Sequence, residues 1–176
     1  MLDIAEELSA IYTEISEVNF YRDIFPVGSF EQKGIYEKGK YNGIAVAIEK
    51  GGKQAKRMTV TDDLNAINDM VQTDAFCIMS PISYAGKSRH AENARYMYAL
   101  TIDLDGIYTM QQWQFFIRQI ERGHEMLSFV WGLPKPTYLV SSGTGLHIYY
   151  VFECRDRRFR NVVEKLEVLK RRLTWQ

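Results

Sequence analysis

The strongest strand pattern of this sequence ends in two acids and reads Tyr96-Met97-Tyr98-Ala99-Leu100-Thr101-Ile102-Asp103-Leu104-Asp105. Side chains alternate between the two faces of a strand, so Thr101, Asp103 and Asp105 are predicted to share one face. Two carboxylates about 7 Å apart on one face repel each other unless a cation joins them. Mg²⁺ and Mn²⁺ prefer such oxygen ligands. The pattern therefore predicts a metal site, although a solvated strand end before an Asp-Gly turn explains the same residues.

A predicted hairpin about forty residues further on is the second dense region, Leu139-Val140-Ser141-Ser142-Gly143-Thr144-Gly145-Leu146-His147-Ile148-Tyr149-Tyr150-Val151-Phe152. Its glycines allow backbone amides to approach an anion closely. Alternation places His147 and Tyr149 opposite an apolar face that begins at Leu146. We therefore expect His147 on the side of the aspartates, where imidazole binds a phosphate or moves a proton. A structural histidine beside a hairpin turn is the alternative.

The order of predicted elements indicates an α+β fold. Helical spacing predicts helices over about 3–18, 109–123 and 157–173, with Trp113, Phe116, Ile117 and Ile120 on one face of the second. Extended patterns predict strands at 43–48, 56–60, 75–79, 96–104, 137–141 and 146–152, with a loop at 80–95. Strand, helix, hairpin and helix across residues 96–173 predict a mostly antiparallel sheet with helices on one side.

Charge and composition exclude several classes of protein. The chain has 176 residues, with 22 Lys or Arg against 22 Asp or Glu, and no apolar run long enough to cross a membrane. Its zero net charge is a cancellation between −5 over residues 1–25 and +5 over residues 155–172. A neutral total therefore does not exclude a nucleic-acid partner. Two cysteines without CxxC spacing, and no signal peptide, predict a cytoplasmic protein without a membrane partner.

The two dense regions resemble the archaeo-eukaryotic primase (AEP, primase-polymerase) superfamily, and most of all its members from mobile elements, phages and plasmids. Residues 98–105 resemble the hhhDhD motif of that family, and residues 136–147 resemble its strand, Ser-Gly turn and small-x-His motif. The resemblance implies an antiparallel catalytic sheet related to the RNA-recognition motif (RRM-like), with helices on one face, at residues 96–176. It also implies an N-terminal α/β module at residues 1–95, the two forming one compact unit.

The chemistry implied by this resemblance is DNA primase or polymerase activity in DNA replication, by template-directed nucleotidyl transfer with two divalent metals, Mg²⁺ or Mn²⁺. Asp103 and Asp105 would ligate metal. His147, Ser142 and the backbone at Gly143 and Gly145 would hold the triphosphate. The implied partners are a single-stranded DNA template, nucleoside triphosphates, and a helicase or further C-terminal domains.

Two further predictions concern nucleic-acid contacts. Lys87, Arg89 and Arg95 precede the aspartate strand and are predicted to touch phosphates, with solvated side chains as the alternative. Tyr149, on the predicted open face of the sheet, is placed to stack on a base or sugar.

The third acidic motif of the family has no clear counterpart in this chain. We therefore expect a truncated catalytic portion, or a degenerate member, with weak or absent synthesis. One alternative is a non-catalytic RRM-like module that binds single strands or nucleotides. Another is a metal nuclease or rolling-circle initiator, which ranks lower because His147-Ile148-Tyr149 supplies one histidine where that class uses two.

Overall fold

The structure, a computed structural model, describes residues 2–49, 51, 55–73, 75–125, 135–142, 145–153 and 157–174. These residues form a mixed α+β protein with five α-helices and two antiparallel sheets. The helices are α1 (Ile4–Ile11), α2 (Glu17–Ile24), α3 (Asn65–Val71), α4 (Met110–Glu125) and α5 (Phe159–Thr174). The strands are β1 (Asn42–Ile48), β2 (Ala55–Val60), β3 (Phe76–Tyr84), β4 (Ala94–Met97), β5 (Ala99–Asp105), β6 (Tyr138–Ser141) and β7 (Gly145–Val151).

The first sheet has the strand order β2-β1-β3-β4. Its central strand β1 is buried along most of its length because it pairs antiparallel with both β2 and β3. Ile44, Tyr84 and Ala94 form a small core on this sheet, against which Phe159 of α5 packs. Residue 157 extends the pairing beyond β4, since the Met97 N–H donates to the Arg157 carbonyl at 2.8 Å.

The second sheet has the strand order β5-β7-β6. The β6–β7 hairpin pairs Ser141 with Leu146 and Tyr138 with Tyr149. One face of this sheet is apolar and packs on α1 and α4. Its core consists of Ile4, Ile107, Trp113, Phe116, Ile117, Ile120, Leu146 and Ile148. All four residues predicted for the buried face of α4 belong to this cluster, which confirms the helical periodicity there.

The chain divides into two compact units that interleave along the sequence. One comprises residues 1–14 and 100–151, and the other residues 15–99 and 152–176. This division differs from the predicted modules 1–95 and 96–176, and from a single compact unit. The difference arises because Ile4 of α1 belongs to the core of the second sheet, whereas Phe159 of α5 packs on the first.

The predicted strand over 96–104 is two strands in two different sheets. Tyr98 separates them and is almost fully buried. Its N–H donates to the Pro81 carbonyl at 2.9 Å, and its carbonyl accepts from the Phe152 N–H at 2.8 Å. Its hydroxyl donates to the Ser29 carbonyl at 3.0 Å. These tertiary hydrogen bonds hold Tyr98 at the point where the chain leaves β4 of the first sheet and enters β5 of the second.

Two other predicted boundaries were wrong. The helix predicted over 3–18 is in fact two helices, α1 and α2. The backbone is extended at Tyr12, and Ser16 begins α2 by accepting from the Asn19 N–H at 3.3 Å.

The loop predicted at 80–95 begins too early, since β3 continues to Tyr84. Pro81 is tolerated in it because the register between β1 and β3 shifts at this point, and bulges are where strands accept proline.

Candidate functional site

The face of the second sheet opposite its core is polar, and the predicted site residues Asp103, Asp105 and His147 lie on it. Asp103 of β5 and His147 of β7 are neighbours, with His147 Nε2 3.5 Å from Asp103 Oδ1. The side chain of Asp103 is 62% exposed and that of His147 39% exposed. The two groups are thus within ion-pair distance and open to a ligand, on the shared face that strand alternation predicts.

Asp105 and Gly145 form the next cross-strand position along this face. A Cβ on Gly145 would lie 3.1 Å from Asp105 Oδ1 and would collide with the Leu104 carbonyl oxygen. Glycine is therefore required at 145 by the close approach of β5. The missing side chain also leaves the exposed Asp105 carboxylate uncovered from the side of β7, so both aspartates and His147 open on the same surface.

Ser142 and Gly145 flank the turn between β6 and β7, and Gly145 is the residue that lies next to Asp105. The Ser142 N–H donates to the Gly145 carbonyl at 3.0 Å, which closes the turn, and the Ser142 side chain is exposed. This N–H is already used within the turn, so the part of Ser142 left to meet a phosphate is its hydroxyl. Gly143, the other predicted phosphate contact, lies outside the described residues.

Thr101 and Tyr149 complete the polar face away from the turn. The antiparallel pairing that sets Gly145 by Asp105 and His147 by Asp103 places Tyr149 opposite Thr101. Burial raises the pKa of Tyr149, and the negative charge of Asp103 raises that pKa further. Tyr149 is half-buried and so less open than expected for a stacking aromatic.

Thr101 is predicted by strand alternation to share the face of the aspartates, and the sequence indicates no role for it. Its Oγ1 is buried and makes no hydrogen bond within the described parts of the chain. A buried hydroxyl without a partner is costly, and such groups often meet a ligand or an ordered water. Strand alternation alone indicated its position beside the aspartates.

This face offers a metal two carboxylates, those of Asp103 and Asp105. Among the described residues, no group of three or more His, Cys, Asp or Glu side chains is arranged to hold a metal ion. Mg²⁺ is commonly bound through one or two carboxylates, with waters and substrate phosphates completing its shell. Asp103 and Asp105 therefore fit an ion shared with a phosphate ligand and do not fit a cage made by the protein alone.

The three predicted phosphate-binding cations belong to the other compact unit. Lys87 and Arg89 are exposed. Arg95 donates to the carbonyls of Glu92 at 2.8 Å and Ala94 at 3.1 Å, and its guanidinium lies over the Tyr41 ring, 5.7 Å from the centroid. Lys87 and Arg89 thus keep their ammonium and guanidinium groups open, whereas Arg95 is held against its own segment.

Comparison with known proteins identifies no relative of this chain. No family model matches it, and neither does any curated protein or solved structure. Within the described residues, every helix is too short or too polar to span a membrane.

Proposed function

We propose that the protein is a nucleotidyltransferase of the primase-polymerase type, which joins nucleotides on a single-stranded DNA template. The observation that carries this proposal is the polar face of the second sheet, where Asp103, Asp105 and His147 open together. A phosphate chain needs both a cation, which carboxylates hold, and a hydrogen-bond donor, which imidazole supplies.

The strand order of this sheet supports the RRM-like part of the proposal. β5, α4 and β6 follow one another in the chain, and β7 lies between β5 and β6 in the sheet. This is a split β-α-β unit, the building block of ferredoxin-like and RRM-like folds. The helix lies on the apolar face, so the opposite face is left for ligand.

Each residue has a distinct proposed role. Asp103 and Asp105 hold Mg²⁺ or Mn²⁺, which when bound supplies positive charge to the attacking and leaving oxygens of the displacement. His147, oriented by Asp103, donates a hydrogen bond to the triphosphate, and the Ser142 hydroxyl contacts the same group. Gly145 keeps the surface next to Asp105 clear of side chains.

The first test is the joint binding of Mn²⁺ and a non-hydrolysable nucleoside triphosphate, measured by calorimetry. We expect Asp103→Asn and Asp105→Asn to weaken it about 100-fold or more, because the carboxylate charge is lost. Asp69→Asn is the matched control, since Asp69 is an exposed acid on α3 of the other unit. Equal binding by all three variants would overturn the proposed site.

Primer synthesis on a single-stranded template with Mn²⁺ or Mg²⁺ is the second test. We expect weak synthesis by the 176-residue chain, abolished by Asp103→Asn, because the described residues bring no third carboxylate to the site. That observation also favours a second candidate, a non-catalytic module on the same fold. Binding of strand and nucleotide without any incorporation would support the second candidate and contradict the first.

A further inference from the structure

We propose that the unit containing the first sheet binds single-stranded nucleic acid along the β4 side of that sheet. The surface consists of residues 32–41, 86–96 and 157–160, here named the basic edge. Its use as a template-binding surface rests on the proposed function, whereas its binding of a single strand does not.

Contacts within this unit bring the three segments of the basic edge together. The Tyr96 hydroxyl donates to the Gly39 carbonyl at 3.2 Å, which joins β4 to the segment before β1. Arg158 forms an antiparallel bridge with Tyr96, and the neighbouring Arg157 accepts from the Met97 N–H. Segments far apart in sequence thus meet around Tyr96.

The basic edge is strongly positive on a chain whose total charge is zero. Its three segments contain nine Lys or Arg residues and two Glu residues, a formal net charge of +7. One of the two acids, Glu37, is paired with Lys40. Lys87, Arg89 and Arg160 are exposed, whereas Arg157 is turned inward and donates to the Phe152 carbonyl at 2.8 Å. Such a concentration of cations is complementary to a phosphate backbone.

Aromatic rings lie among these cations. The rings of Tyr41 and Tyr96 are 5.8 Å apart, and the Arg95 guanidinium caps Tyr41. Tyr36, in the same segment as Tyr41, is 84% exposed. Tyr41 and Tyr96 are half-buried, so Tyr36 is the ring most open to a base. Aromatic rings interleaved with cations are the combination that single-strand binding proteins use, because unstacked bases lie on the rings while cations follow the backbone. An acidic protein partner would not need the rings, and a duplex does not offer its base faces.

The opposite side of the same sheet supplies an internal comparison. β2 forms that edge and carries two exposed cations, Lys56 and Arg57, within a strand that has no aromatic residue. If charge alone attracted the nucleic acid, both edges of the sheet would bind it. If binding needs cations and aromatic rings together, only the β4 edge would bind the nucleic acid.

The test is fluorescence anisotropy with a labelled oligothymidine of about 20 nucleotides in EDTA, repeated over a range of NaCl concentrations. Lys87→Gln with Arg89→Gln is expected to reduce the slope of log affinity against log salt by about 1.4, because each lost single-strand phosphate contact accounts for about 0.7. The Lys56→Gln and Arg57→Gln pair should leave the slope unchanged. Equal slopes in the two double variants would overturn the proposal.

Tyr36→Ala tests the stacking part, with an expected loss of about tenfold in affinity for the single strand. Phe115→Ala, which removes an aromatic of α4 that is 63% exposed, is the matched control and should bind normally. Equal affinity of the wild type for duplex and single strand, together with no effect of Tyr36→Ala, would overturn single-strand binding. Comparing RNA and DNA oligonucleotides of the same sequence shows which of the two nucleic acids the basic edge binds more tightly.

The two proposals can fail separately. An Asp103→Asn, Asp105→Asn double variant should bind the oligonucleotide as the wild type does, because the basic edge contains neither residue. If the protein binds Mn²⁺ and triphosphate normally but binds no single-stranded nucleic acid, the proposed binding by the basic edge is wrong. The proposed nucleotidyl-transfer site would be unaffected by that result.

Discussion

Tyr149 and Tyr150 are adjacent residues whose phenols face different surroundings, since side chains alternate along β7. Burial raises the pKa of both phenols, and the charge of Asp103 raises the pKa of Tyr149 in addition. Asp103→Asn removes that charge and is therefore expected to lower the pKa of Tyr149 while leaving that of Tyr150 unchanged. NMR titration of tyrosines labelled at Cζ measures both. A shift at Tyr150 of the same size would contradict the placement of Asp103 on the Tyr149 face.

The same raised pKa predicts how Tyr149 contributes to stability at alkaline pH. The folded state favours the neutral phenol, so this contribution is fully present below the pKa of an unfolded tyrosine, about 10. It is lost as pH rises from there through the folded pKa. Urea unfolding above pH 10 should therefore show a smaller loss of stability in Asp103→Asn than in the wild type.

At the scale of elements, Gly145 determines how closely β5 and β7 pair. Gly145→Ala would press a methyl group against the Leu104 carbonyl, a backbone atom that moves only if the strand moves. We expect a loss of about 1–3 kcal/mol in the free energy of unfolding, as for other overpacked sites, measured by urea denaturation. Ser142→Ala, in the same turn but exposed, is the control and should unfold as the wild type does. Equal stability of both variants would contradict the close approach.

Sequence patterns predicted what depends on local periodicity. The buried face of α4 and the common face of Asp103 and His147 follow from the repeats of helix and strand alone. The break at Tyr98 could not be predicted in this way, because alternation continues through it and its partners, Ser29 and Pro81, come from distant parts of the chain. The break between α1 and α2 had a local signal, the capping Ser16, which the helical spacing of apolar residues on both sides concealed.

At the scale of the whole molecule, the chain passes between two compact units three times, after residues 14, 99 and 151. The sequence did not predict which sheet α1 packs against, since an apolar helical face indicates that the helix is buried but not which sheet buries it. The zero net charge was similarly uninformative, because it averages the basic edge with acids elsewhere. The sheet that buries α1 and the position of the basic edge both depend on how distant segments of the chain are assembled.

Ile4 provides a test of this interleaving. It is 1% exposed and packs in the cluster of Trp113 and Ile148, although more than a hundred residues separate it from each of them in sequence. Ile4→Ala removes buried methyl groups and leaves a cavity, so we expect a loss of about 2–5 kcal/mol in the free energy of unfolding. Ile11→Ala is the matched control on the same helix, where the side chain is 45% exposed and a much smaller loss is expected.

The location of the effect is the more discriminating measurement. Side-chain NMR of the folded Ile4→Ala variant should show its largest chemical-shift changes at the Trp113 indole and the Ile148 methyls, which border the cavity. The methyls of Ile44 belong to the core of the first sheet and should keep their shifts, although β1 follows α1 more closely in the chain than α4 does. The reverse pattern would assign α1 to the first sheet and contradict the interleaved units.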